Sequence, residues 1–160
     1  MGQDAVATGV VRDNSRSRWQ RSFNRFVRWV LGSPVHWMMS GKLMVVEVVG
    51  RRTGARYSVP TAYADRGDQV LAASPGSWVR NLAPDRPVVL VHRGRRRTMV
   101  PRIVTDREAA GQVAADLFPG NPVLRRNMQV SLGRDGQVDH DQLAAALQRG
   151  VRLITFSPPA

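Results

Sequence analysis

Between Leu43 and Val104 the sequence alternates short β-branched runs with turn signals, and this rhythm restricts the fold more than any other feature. The runs are "LMVVEVV" (Leu43 to Val49), "YSVPTAYA" (Tyr57 to Ala64), "QVLAAS" (Gln69 to Ser74), "PVVLVHR" (Pro87 to Arg93) and "RTMVPRIV" (Arg97 to Val104). Gly, Asp or Pro punctuates each junction, mostly at the link lengths of hairpins. Strands joined this way pair with their neighbours in antiparallel fashion. Five of them, with "VRLITF" (Val151 to Phe156) as a last strand, suggest a small antiparallel barrel, because closure removes unpaired edges. The expected class is mainly β (α+β), with helices at the periphery.

The helical segments lie on either side of this block. Residues 1–14 read as a flexible tail, and residues 15–160 as one domain without repeats or a linker. Within "SRWQRSFNRFVRWVL" (Ser17 to Leu31), Trp19, Phe23, Phe26, Val27 and Val30 recur at helical steps. Arg18, Arg21, Arg25 and Arg28 share the opposite face, and "GSP" at Gly32 to Pro34 ends the helix. Asp106 to Leu117 and Asp139 to Gln148 are expected to be helical, with a shorter segment near Val123 to Gln129. In "PGSWVRNLAPDRP", Ser77 is positioned to cap one or two helical turns that stop at Pro84.

Composition narrows the chemistry. The chain has no cysteine, so disulfides, thiolate nucleophiles and zinc–thiolate sites are excluded, in keeping with a reducing cytoplasm. His36, His92 and His140 are scattered, and no pair stands at metal-ligand spacing. Neither a "GxSxG" elbow nor a P-loop occurs, and no two acids stand out for acid–base work. A chain with so few reactive side chains can still be an enzyme if a cofactor brings the reactivity. Apolar runs such as "LMVV" before Glu47 are far too short to span a bilayer, and "MGQDAVATGVVRDNSRSR" has no apolar core followed by a cleavage site, so export is not expected. Net charge is +12, nearly all from arginine, since Lys42 is the only lysine. Such an excess favours anionic partners, and arginine grips phosphate or carboxylate through a planar fork.

Two stretches could bind such an anion. The first is "GRRTG" (Gly50 to Gly54), which places two guanidinium groups, a hydroxyl and flexible backbone amides between two strands. Read by composition alone, it is equally a bulged hairpin turn with Gly54 in a left-handed conformation. The second is "AASPGSWVRNL" (Ala72 to Leu82), where Trp78, Arg80 and Asn81 follow a strand on a short helix. Trp78 and Leu82 have the spacing of core anchors with Arg80 in solvent. Asn81 is poorly explained by helix propensity.

The order "GRRTG", then Pro60, then "WVRNL" resembles the deazaflavin-dependent nitroreductase and quinone reductase family over roughly residues 33–105. The resemblance implies a split β-barrel, the fold also used by FMN-binding oxidoreductases. It implies as cofactor coenzyme F-420, an 8-hydroxy-5-deazaflavin with a phospholactyl-polyglutamate tail, in preference to FMN. It also implies that Arg51, Arg52 and Thr53 hold the phosphate and acidic tail. Tyr57, Ser58, Val59, Pro60, Thr61 and Ala62 would run beside the coenzyme. Ala72, Ala73 and Ser74, with Ser77, Trp78, Val79, Arg80 and Asn81, would form a second wall. Hydride transfer to an electron-poor small molecule (a quinone, nitroaromatic or activated alkene) is the implied reaction, with Ser58, Tyr57 or Tyr63 orienting a proton donor. Two departures from the family pattern stand out. Pro75 replaces a lysine, and the chain lacks a tyrosine-rich C-terminal segment, having tyrosine only at 57 and 63.

The residues also allow other roles. A non-redox split-barrel protein could carry the coenzyme or bind a hydrophobic ligand. The arginine face of residues 16–31 would suit an anionic membrane surface, or its apolar face would pack over the barrel. Split barrels often form homodimers. The run "HRGRRRTMVPR" (His92 to Arg102) sits at a hairpin turn and matches no nucleic-acid module, so nucleic acid is not an expected partner.

Overall fold

The computed structural model describes residues 42–160, so the expected tail and N-terminal helix lie outside the described residues. Six strands form: β1 (Leu43–Val49), β2 (Arg56–Arg66), β3 (Gln69–Ser74), β4 (Val88–His92), β5 (Arg95–Val104) and β6 (Arg152–Ser157). They close a barrel in the order β1-β2-β3-β6-β5-β4, with every pairing antiparallel. The antiparallel barrel expected from the strand rhythm is therefore present, and the C-terminal strand completes it between β3 and β5.

Two long strands split the barrel. β2 pairs with β1 through Arg56 to Ala62 and then with β3 from Tyr63 to Arg66. β5 pairs with β4 through Arg95 to Met99 and then with β6 from Val100 to Val104. Each strand thus leaves one half-sheet and enters the other, turning a corner of the barrel. Pro60 lies in the part of β2 that has a neighbour on one side only, where a residue without an N–H is tolerated.

Side-chain alternation sorts the core into two layers. Val46, Val48, Leu90, Met99, Ile154 and Phe156 fill the barrel interior. On β3, Val70 and Ala72 join that interior, whereas Leu71 and Ala73 face the helices on the outside. This strand is covered on both faces, which is why "VLAA" reads as an unbroken apolar run. The outer layer comprises α1 (Arg107–Leu117), α2 (Pro122–Met128) and α3 (His140–Gln148). Val113, Leu117, Phe118, Leu124 and Leu143 pack there against Leu71 and Leu153.

Local signals set the helix starts. Asp106 accepts the Ala109 N–H at 2.8 Å, and Asp139 accepts those of Asp141 and Gln142 at 3.0 Å. Such caps contribute about 1 kcal/mol each. The buried Asn121 amide donates to Leu117 O at 2.6 Å and Tyr63 O at 3.2 Å, fastening the end of α1 to β2. Lys42 donates to the Gly120 carbonyl nearby.

Sequence expectations shift at several element ends. β5 begins at Arg95 rather than Arg97, because the β4–β5 hairpin turns on Arg93 and Gly94 alone, with φ 50° and 74°. Paired positive φ values are what a two-residue turn needs to match strand twist. The cap of the short helix Ser77–Asn81, a 3₁₀ turn, is Gly76, and Ser77 is its first residue.

Candidate functional site

The β1–β2 loop is a hairpin turn held from within. Gly50 N–H donates to Ala55 O at 2.8 Å, and Gly54 N–H donates to Gly50 O at 2.9 Å. Gly54 adopts φ 66°, the left-handed conformation that glycine takes without a Cβ penalty. The Thr53 hydroxyl accepts the Ala55 N–H at 3.2 Å. Four of the loop's amides are thus committed, counting the Arg51 N–H, which reaches across to Asn81 Oδ1 at 3.0 Å. Among the described residues, no acceptor takes the amide N–H of Arg52 or Thr53, and both residues are exposed.

The 3₁₀ turn forms the second side of the site. Ser74, at the end of β3, accepts from Gly76 N–H at 3.0 Å and from the buried Trp78 Nε1–H at 2.9 Å. A Cβ on Gly76 would lie 2.5 Å from Trp78 Cδ1, so the indole needs glycine there. Trp78, Val79 and Leu82 are buried in the barrel interior, and Arg80 is exposed. Asn81 faces the first loop: its Nδ2 donates to the Tyr57 hydroxyl while its Oδ1 accepts from Arg51. Loop, turn and the start of β2 meet at this one end of the barrel.

Charge at this end is one-sided. Arg51, Arg52, Arg56 and Arg80 are exposed, and among the described residues none has a carboxylate partner. Three arginines elsewhere do have carboxylate partners: Arg66 meets Asp116 at 3.2 Å, Arg93 meets Asp65 at 2.7 Å, and Arg96 grips Glu47 through both nitrogens. Uncommitted amides beside unpaired guanidinium groups are the donor set an oxyanion requires. The residues present therefore fit a phosphate- or carboxylate-bearing cofactor.

The remaining sequence-derived residues divide by strand parity. Tyr57, Val59, Thr61 and Tyr63 turn toward the interior, where Tyr57 and Val59 are partly and Thr61 and Tyr63 fully buried. Ser58, Pro60 and Ala62 face outward, with Ala62 packed beneath the helices. Ser58 pairs in register with Glu47. Ala72 and Ala73 are 0% and 2% exposed, so they support the wall from behind and offer a ligand no surface. Ser77 is exposed.

Tyr63 is six positions along β2 from Tyr57, about 20 Å away at the other end of the barrel. There its ring meets His92 edge-on with centroids 4.6 Å apart. Its hydroxyl, and then the Asp65 charge, raise the Arg93 pKa above its ordinary value. The Asp65 carboxylate also lies 3.0 Å from His92 Nε2, off the direction in which the ring N–H would donate. This cluster joins β2 to the β4–β5 hairpin, and nothing in the sequence pattern announced it. The bonds joining Asn81 to Arg51 and Tyr57 were equally hidden, since they connect residues 30 and 24 positions apart.

Among the described residues, no cluster of His, Asp and Glu could hold a metal ion, and no helix is long and apolar enough to cross a membrane.

Comparison with solved structures places the fold. A protein from Clostridium acetobutylicum related to general stress protein 26 of B. subtilis, of the pyridoxinephosphate oxidase family, superposes with a TM-score of 0.50. Identity is 10%, over 86% of this chain and 84% of that one. An F420-H2 dependent reductase (FDR-A) gives 0.48 at 11% identity, over 72% and 94%. A conserved hypothetical protein from Mycobacterium tuberculosis gives 0.48 at 13%, over 77% and 76%. No curated protein matches the sequence. The model of one family, described as F420H(2)-dependent quinone reductase, matches residues 19–117, which take in the arginine loop, the 3₁₀ turn and all of the barrel except β6. On that match, the chain belongs to the F420H(2)-dependent quinone reductase family.

Proposed function

We propose that the protein, as a single barrel domain over residues 15–160, reduces an electron-poor small molecule, a quinone foremost, at the expense of reduced coenzyme F-420. The observation that carries this reading is the set of four arginines without acid partners around a loop whose Arg52 and Thr53 amides are uncommitted. When bound, the coenzyme supplies a hydride, two electrons delivered together from a ring carbon.

The chain's own residues bind and orient. Arg51, Arg52 and Thr53 hold the phosphate and acidic tail, each charge-assisted contact contributing about 1.5–3 kcal/mol. Tyr57 and Ser58 to Ala62 on β2, with Ser74 and the 3₁₀ turn, provide the walls. Trp78 is fixed by Ser74 and keeps the turn seated on the barrel. Tyr57 stands at the cradle end of β2 beside Asn81, whereas Tyr63 lies toward the far end of the strand.

The test is a turnover assay in which reduced coenzyme F-420 is mixed with menadione and the purified protein. Protein-dependent oxidation of one coenzyme per quinone is the expected result. A protein that binds the coenzyme but transfers no hydride to any quinone, nitroaromatic or activated alkene would instead be a carrier.

A further inference from the structure

The hydrogen bonds around Asn81 determine which way a proton points on Tyr57. A backbone N–H can only donate, so the atom of Asn81 that meets Arg51 N at 3.0 Å is the amide oxygen. The amide nitrogen then faces Tyr57 and, carrying two hydrogens and no usable lone pair, must donate to the phenol oxygen. Tyr57 therefore accepts from Asn81, and its own O–H must point elsewhere. Among the described residues no acceptor takes that proton. Tyr57 is only partly buried, and so is its bond to Asn81.

Tyr57 thus presents a donor beside the loop where Arg52 and Thr53 offer theirs. We propose that Tyr57 is a specificity-determining donor to an oxyanion of the coenzyme's acidic tail, and that Asn81 is a positioning residue that sets it. This inference rests on the coenzyme reading above and refines it. The same amide that pins the arginine loop fixes the phenol, so loop position and donor direction are established together.

Two probes separate the possibilities: coenzyme F-420 itself, and its deazaflavin fragment without the phosphate and glutamates. Binding of each to the oxidised form is followed by fluorescence for wild type, Tyr57→Phe, Asn81→Ala and the double variant. Tyr57→Phe keeps the ring and its packing, so the fold is retained. It is expected to weaken coenzyme F-420 about tenfold, as loss of a hydrogen bond to a charged group does, and to leave the fragment within twofold. In the Asn81→Ala background the Tyr57→Phe change should add less than about threefold, because the donor is already unset. An equal loss for both probes would overturn the proposal by placing Tyr57 at the ring. No loss for either, or independent multiplying effects of the two substitutions, would overturn it too. A wild-type protein that binds neither probe removes the coenzyme reading itself, and the inference with it.

Discussion

Arg51 and Asn81 are 30 residues apart in sequence, and the backbone N–H of the first donates to the side-chain oxygen of the second at 3.0 Å. This bond makes the arginine loop and the 3₁₀ turn one unit, although they sit at the ends of different strands. Removing the amide in Asn81→Ala leaves the Arg51 N–H to water and frees the Tyr57 hydroxyl. A loss of about 1–2 kcal/mol is expected, read as a fall in Tm of a few degrees.

Ser74 serves two donors at once, Gly76 N–H and the Trp78 indole. Ser74→Ala leaves the indole N–H buried without a partner, so destabilisation of about 1–3 kcal/mol is expected in urea unfolding. An unchanged midpoint would mean that the indole finds another acceptor.

Gly76 tests packing rather than backbone freedom, since its φ of −70° suits any residue. The obstacle is the Trp78 ring, 2.5 Å from where a Cβ would stand. Gly76→Ala should cost about 1–3 kcal/mol by forcing the indole to shift, with a matching change in tryptophan fluorescence.

Gly54 is the opposite case. A Cβ there meets nothing within 4 Å, but φ is 66°. Gly54→Ala should therefore cost about 1 kcal/mol through backbone strain, and Gly54→Asn distinctly less, because asparagine tolerates that region. Thermal melts of the two variants side by side check the order.

Much of this architecture could be read in the chain. Period-two alternation in "LMVVEVV" and the unbroken run in "QVLAAS" correspond to a strand with one inward face and a strand covered on both. Asp106 and Asp139 marked helix starts because an aspartate before an apolar periodic segment is a cap. Arg95 and Arg96 were hidden as strand residues since exposed arginines after a glycine look like loop. The transfer of β2 and β5 between half-sheets left no trace either, because partner choice depends on closure of the whole barrel. In the candidate site, the arginines and Asn81 stood out by composition. What Asn81 does was not visible, because its bonds span distant segments and asparagine chemistry permits many roles.

The role proposed for the arginine loop is to hold the acidic end of a hydride-carrying coenzyme. It is tested most directly by titrating oxidised coenzyme F-420 into wild type and into the Arg51→Ala/Arg52→Ala variant at two salt concentrations. The double variant is expected to bind at least tenfold more weakly, with an affinity that depends less on salt. Equal affinity and equal salt dependence for the two proteins would contradict it.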